Sequence, residues 1–146
     1  MICCFFGHAD TPQSVRPVLM RTLIDLIENR GASTFYVGTR GSFDRMALSV
    51  TRSLCHRYPG IDYRVMLAYP NTPTACDALH TVYPAELEDV PAKFAISHCN
   101  RWMVRHTDLV IAYVIGTAGG AAQSLRYARS LGKPIINLAD APEIRV

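Results

Sequence analysis

Small residues cluster where predicted strands end, and they decide what chemistry this chain can attempt. Gly7-His8 follows an apolar run at 2–6, Gly38-Thr39-Arg40-Gly41-Ser42 follows 35–37, and Gly116-Thr117-Ala118-Gly119-Gly120 follows 109–115. Each turn leads into a helical pattern, so backbone N–H groups without bulky neighbours can approach an anion at a helix N-terminus. Three such turns predict a phosphate-binding rim. The strongest is Gly116-Thr117-Ala118-Gly119-Gly120-Ala121-Ala122, where small residues let the chain bend, Thr117 offers a hydroxyl and the next helix aims its positive end at the turn. The bland alternative is a tight turn that merely packs. A G-x-G-x-x-G fingerprint is absent, since only Gly7 follows the first strand, and this disfavours dinucleotide binding of the dehydrogenase kind.

The polar residues around these turns have two readings each. Asp44, near the start of a helix, either caps that helix or accepts two hydrogen bonds from a ribose diol. Ser42 is the expected N-cap of the same helix, and Arg40 either meets a phosphate or lies in solvent, with solvent the better reading. His8 could donate to a phosphate or serve as an acid or base. Arg101 beside Trp102 could hold a phosphate and support a base, or be a surface charge. Glu86, Glu88 and Asp89 precede a helix that they mostly cap and solvate, and a Glu among them could act as a base. His56, His80, His98 and His106 show no ligand spacing. Cys3, Cys4, Cys55, Cys76 and Cys99 are an odd number without a C-x-x-C pair, so reduced thiols are expected and neither a metal nor a cofactor.

The elements that must position these groups follow from hydrophobic periodicity. At 146 residues, 49% hydrophobic and 18% charged, the chain is one globular domain that can bury about two thirds of its unfolded surface. No apolar run is long enough to cross a bilayer and the first strand lacks a basic lead, so a cytoplasmic location is expected. Apolar strands at 2–6, 34–37, 63–68, 109–115 and 134–138 alternate with helical stripes beginning near 11–14, 42, 91 and 120. Strands apolar throughout and separated by helices imply an α/β, Rossmann-like, doubly wound parallel sheet of about five strands, in the order 3-2-1-4-5. The first and fourth strands are then neighbours at the switch point, where their glycine turns converge on one crevice. The connection at 69–90 is long for a compact domain and could close over that crevice as a lid.

Several of these motifs together resemble a known family. Cys4-Phe5-Phe6-Gly7-His8, Phe35-Tyr36-Val37-Gly38, Gly41-Ser42-Phe43-Asp44, Val82-Tyr83-Pro84, Pro91-Ala92-Lys93-Phe94-Ala95-Ile96-Ser97, Asn100-Arg101-Trp102-Met103 and Gly119-Gly120-Ala121-Ala122 look like the YpsA-like branch of the SLOG superfamily, in order over essentially the whole chain. That superfamily is Rossmann-like and includes the cytokinin-activating phosphoribohydrolases and the DNA-processing protein DprA. The resemblance implies binding of a nucleotide or nucleotide-derived ligand, and a homodimer is common in the superfamily. The phosphoribohydrolases carry PGGxGTxxE after the fourth strand. Here Ile115 stands at the Pro, Gly120 at the Thr and Gln123 at the catalytic Glu, and a neutral amide cannot serve as acid or base. Their helix Arg matches Cys99 or Asn100, with Arg101 close by.

The expected function is therefore binding or sensing of a nucleotide-like phosphorylated small molecule. The expected site is Gly7, His8, Gly38, Thr39, Gly41, Ser42, Asp44, Arg101, Gly116, Thr117, Gly119, Gly120 and Ala121. The alternative is a nucleotide N-glycosidase or phosphoribohydrolase using Glu86 or Glu88. A net charge of +3 spread along the chain argues against single-stranded DNA and against nucleic acid as a partner generally, and no membrane partner is expected.

Overall fold

The computed structural model describes residues 1–74 and 78–142; Cys76 and the middle of the 69–90 connection lie outside the described residues. The chain alternates strand and helix: β1 Ile2–Gly7, α1 Arg16–Arg30, β2 Thr34–Val37, α2 Gly41–Arg57, β3 Asp62–Met66, β4 Thr81–Val82, α3 Ala95–Arg105, β5 Leu109–Tyr113, α4 Gly120–Ser130 and β6 Ile135–Asn137. All strand pairings are parallel, in the order β4-β3-β2-β1-β5-β6. This is the expected α/β, doubly wound, Rossmann-like sheet with one added edge strand. The addition, β4, comes from inside the 69–90 connection and pairs Thr81 and Val82 with Val65 and Met66. Two residues are too few to show a strand period, so the sequence carried no sign of it.

Alternation along the central strands divides the core between the two faces of the sheet. Cys3 and Phe5 of β1 and Leu109 and Ile111 of β5 pack with Leu19, Leu23 and Leu26 of α1 and Phe43, Ala47 and Val50 of α2. Cys4, Phe6, Val110 and Ala112 pack on the opposite side with Cys99 and Met103 of α3 and Leu125 and Ala128 of α4. Strands buried on both faces have apolar residues at every position, as β5 does throughout its length. Each fully buried leucine or phenylalanine contributes roughly 1.5–3 kcal/mol to this packing.

Helix ends follow the local chemistry with two adjustments. Gly31 takes φ 77° after Arg30, and its left-handed turn ends α1 where the sequence predicts. The first and third helices are each entered through a single 3-10 turn, Gln13–Val15 and Ala92–Phe94, so their α portions begin a turn late. Ser42 is not an N-cap: Arg40 holds that position, and the Ser42 hydroxyl donates instead to the Thr11 carbonyl at 2.9 Å. No helix among the described residues is long and apolar enough to cross a membrane.

Candidate functional site

The chain runs outward from β1 through β2, β3 and β4, then crosses back to place β5 on the other side of β1. The carboxyl ends of β1 and β5 are paired, Gly7 opposite Tyr113, and the connections beyond them diverge to opposite faces of the sheet. That divergence opens a crevice, the usual ligand position in such sheets.

Two of the three glycine turns are locked to each other. A Cβ at Gly7 would stand 2.2 Å from the Phe43 ring, one at Gly38 would meet the Asp44 carboxylate at 2.6 Å, and one at Gly41 would meet Ala9 Cα at 2.6 Å. Gly41 also has φ 86°, a conformation that side chains disfavour. Ser42 N–H donates to the Ala9 carbonyl at 2.9 Å, and the Thr11 hydroxyl donates to the His8 carbonyl at 2.7 Å. The turn after β1 is thus fastened to the start of α2.

The third turn is built differently. Residues 115–120 are all exposed, and a Cβ at Gly116, Gly119 or Gly120 would meet nothing within 4 Å. Gly116 (φ 82°) and Gly119 (φ 96°) supply the backbone reversal that brings the chain into α4. At its outer end this turn is held by the Arg126 guanidinium, which donates to the Thr117 carbonyl at 2.7 Å, and at its base by the Ile115 N–H, which donates to His8 Nε2 at 2.8 Å. That second bond joins the turns after β1 and β5. It engages His8 Nε2 as an acceptor, so a bound phosphate could be met only through Nδ1–H.

Between the packed turns and the exposed one lies a cleft of about 370 Å³. Its floor and one wall are apolar, from Phe5, Phe6 and Met66 on the sheet and Ile96, Cys99 and Met103 on α3. Polar groups stand at opposite ends: Gly38, Thr39, Arg40 and Asp44 on one side, Gly119, Gly120 and Ala121 at the start of α4 on the other. Asp44 is half-buried, and its Oδ2 accepts the Arg40 N–H at 2.8 Å, the capping role the sequence allowed it. Burial pushes its carboxyl up to about 7, although the Arg40 N–H and the Arg40 and Arg45 charges pull the other way. Cys99 is held as a neutral thiol, pushed up to about 12 first by burial and then by the nearby Asp44 charge. Cys3 is likewise raised to about 12 by burial, so neither thiol is a ready nucleophile.

A second cleft, of about 470 Å³, continues from the first between α3 and α4 and is lined by Ser97, Asn100, Arg101, Gly120, Gln123, Ser124, Arg126 and Tyr127. Asn100 and Gly120 belong to both. Arg101 lies over the Tyr127 ring, 5.4 Å from its centroid. Of the residues expected from sequence, Gly7, Gly38, Thr39, Asp44, Gly119, Gly120 and Ala121 line the first cleft and Arg101 lines the second. His8, Gly41, Ser42, Gly116 and Thr117 line neither and shape the turns. Glu86 pairs with Arg105, and neither Glu86 nor Glu88 lines either cleft.

Sequence reasoning placed Arg101 of α3 in the site but missed the apolar wall that the same helix supplies. Cys99 and Met103 recur at helical spacing and pack in the core, and with Ile96 they also form the cleft wall. Asn100, between Cys99 and Met103, was the available signal, because an amide interrupts an otherwise apolar spacing.

No family model matches this chain, and no curated protein matches it. Among solved structures, the chain is similar to DNA processing protein A from Helicobacter pylori, described for its single-stranded DNA binding mode, with a TM-score of 0.59 and 16% identity. The likeness shows the fold. It covers 92% of this chain and 63% of that one, so this chain spans less than two thirds of its structural neighbour. DNA processing protein A is one of the superfamily that the sequence motifs resemble. One expectation is corrected by it: modest net charge does not argue nucleic acid away, since a protein of this fold is described as binding single-stranded DNA. Net charge is a property of the whole surface, whereas strand binding depends on cations and N–H groups gathered in one groove.

Proposed function

We propose that this protein binds a nucleotide unit in the cleft at the carboxyl ends of β1 and β5, with the phosphate at Gly119, Gly120 and Ala121. The observation that carries this reading is the exposed N-terminus of α4, an eleven-residue helix whose first residues line the cleft and whose glycines have nothing packed over them. The apolar wall of Phe6, Met66 and Met103 suits a base or the carbon face of a sugar, and Asp44 and Gly38 across the cleft suit hydroxyl or amino donors. An anion is better placed at the α4 end, beside the helix N-terminus, than at Asp44, which gains a repelling charge as pH rises through about 7. The YpsA-like motifs support the same reading, since six of the seven, those that contain Gly7, Gly38, Asp44, Ile96, Asn100 and Gly119, contribute residues to this cleft.

A second reading is favoured by the structural neighbour: the nucleotide unit belongs to a single strand of DNA. Calorimetric titration with nucleoside 5′-monophosphates and with a 5′-phosphorylated oligothymidylate tests both. Binding of monophosphates that weakens about tenfold in Gly120→Asp is the expected result. Failure of every nucleotide and oligonucleotide to bind would overturn it, and oligonucleotide binding that weakens steeply with salt while monophosphates do not bind would select the second reading.

A further inference from the structure

We infer that the cleft between α3 and α4 is a second anion subsite of the same ligand, so that the protein takes a nucleotide carrying a second phosphoryl-bearing unit. This rests on the nucleotide reading of the first cleft. The two clefts meet at Asn100 and Gly120, so a group bound at the start of α4 can continue directly from one into the other. Each alone lies in the volume range of a small-molecule site, about 300–1,000 Å³, and a mononucleotide occupies only one of them.

Their chemistry is complementary along that path. The first cleft pairs an apolar wall with a carboxyl group at its far end. The second has two guanidinium groups, Arg101 and Arg126, with the Asn100 and Gln123 amides and the Ser97 hydroxyl around them. Neither arginine is paired with a carboxylate among the described residues, in contrast to Arg105 on the same face of α3, which Glu86 neutralises. Arg101 lies over the Tyr127 ring face, and Arg126, which lines the same cleft, commits one N–H to the Thr117 carbonyl and keeps further donors for a ligand. Two unneutralised guanidinium groups beside a helix N-terminus suit phosphoryl oxygens, because each can donate two parallel hydrogen bonds. Gln123 fits this role as an amide donor: a carboxylate at that position would oppose the charge the arginines gather.

The same chemistry is offered by a diphosphate-linked unit and by a phosphodiester-linked nucleotide, and the test separates them. Three probes are titrated calorimetrically into the full chain: a nucleoside 5′-monophosphate, a dinucleoside diphosphate and a 5′-phosphorylated dinucleotide. At least one extended probe is expected to bind about tenfold tighter than the monophosphate. The one that gains identifies the linkage. In the double variant Arg101→Gln, Arg126→Gln the ratio of extended to monophosphate affinity is expected to fall towards one. Both positions are exposed, and a melting curve matching the parent confirms that the variant folds. Monophosphate binding without gain for either extended probe overturns the inference and leaves the nucleotide reading standing, as does a gain that survives in the double variant. Binding of none of the three overturns both.

Discussion

The turns after β1 and β2 and the turn after β5 all depend on glycine, but for opposite reasons. In the first pair the missing side chains make room for the protein itself: Phe43 presses on Gly7, the Asp44 carboxylate on Gly38 and Ala9 on Gly41. In the third, nothing of the protein comes within 4 Å of the space a Cβ would fill, and the residues are exposed. Glycine in the first pair is a demand of packing, whereas in the third it combines backbone reversal at Gly116 and Gly119 with an uncovered helix terminus at Gly120. A glycine-rich turn in sequence therefore carries two meanings, and only the surrounding packing separates them.

Substitutions can break that contrast in either direction. Gly7→Ala is expected to have the largest effect, about 3 kcal/mol of lost stability in a denaturant melt, since the new methyl would overlap the ring of a fully buried phenylalanine. Gly120→Asp should do the reverse. The acid sits in the first turn of α4, where the helix dipole favours it, so the melting temperature is held or raised slightly, while nucleotide affinity falls about tenfold through repulsion of the phosphate. A stable Gly7→Ala protein or an unimpaired Gly120→Asp protein would erase the distinction between the turns.

Asp44, in the packed pair of turns, makes stability depend on pH. Its folded carboxyl is raised to about 7 by burial, above the roughly 3.9 of an unfolded aspartate. The folded chain therefore holds a proton that the unfolded chain has released, and the stability this confers is complete below about pH 4 and lost as pH rises through 7. Asp44→Asn should remove this decline, leaving the variant on the order of 1 kcal/mol more stable relative to the parent at pH 8 than at pH 4; the half-buried group keeps enough water to limit the effect. Paired urea titrations at the two pH values measure it. His8→Gln should have the smallest effect, about 0.5 kcal/mol on stability, because the Ile115 N–H it releases is exposed to water.

Much of this arrangement was readable from the chain. The switch point between the first and fourth predicted strands, the glycine turns that converge there and the start of α4 all follow from apolar runs, helical stripes and Gly31-type stop signals, which are local and strongly periodic. What escaped depends on packing between distant segments. Two residues of edge strand, Thr81 and Val82, exist as a strand only because β3 offers them a partner. Ser42 has the residue type of a cap, but α2 already begins at Gly41, and the Ser42 hydroxyl donates to the carbonyl of Thr11, thirty-one residues earlier. The division of Cys99 and Met103 between core and cleft wall depends on where α3 meets the sheet, and helical spacing is the same for both uses. Arg126 carried no turn or motif signal, and its place in the second cleft follows from the packing of α3 against α4.

The proposed position of the phosphate is the N-terminus of α4. A ¹H–¹⁵N correlation spectrum of the labelled protein, titrated with a nucleoside 5′-monophosphate, tests it at single residues. The amide signals of Gly119, Gly120 and Ala121 are expected to shift first and furthest, with smaller movement at Gly38 and Asp44 across the cleft. Saturable shifts confined to other parts of the surface, with the amides of Gly119, Gly120 and Ala121 unmoved, would contradict it.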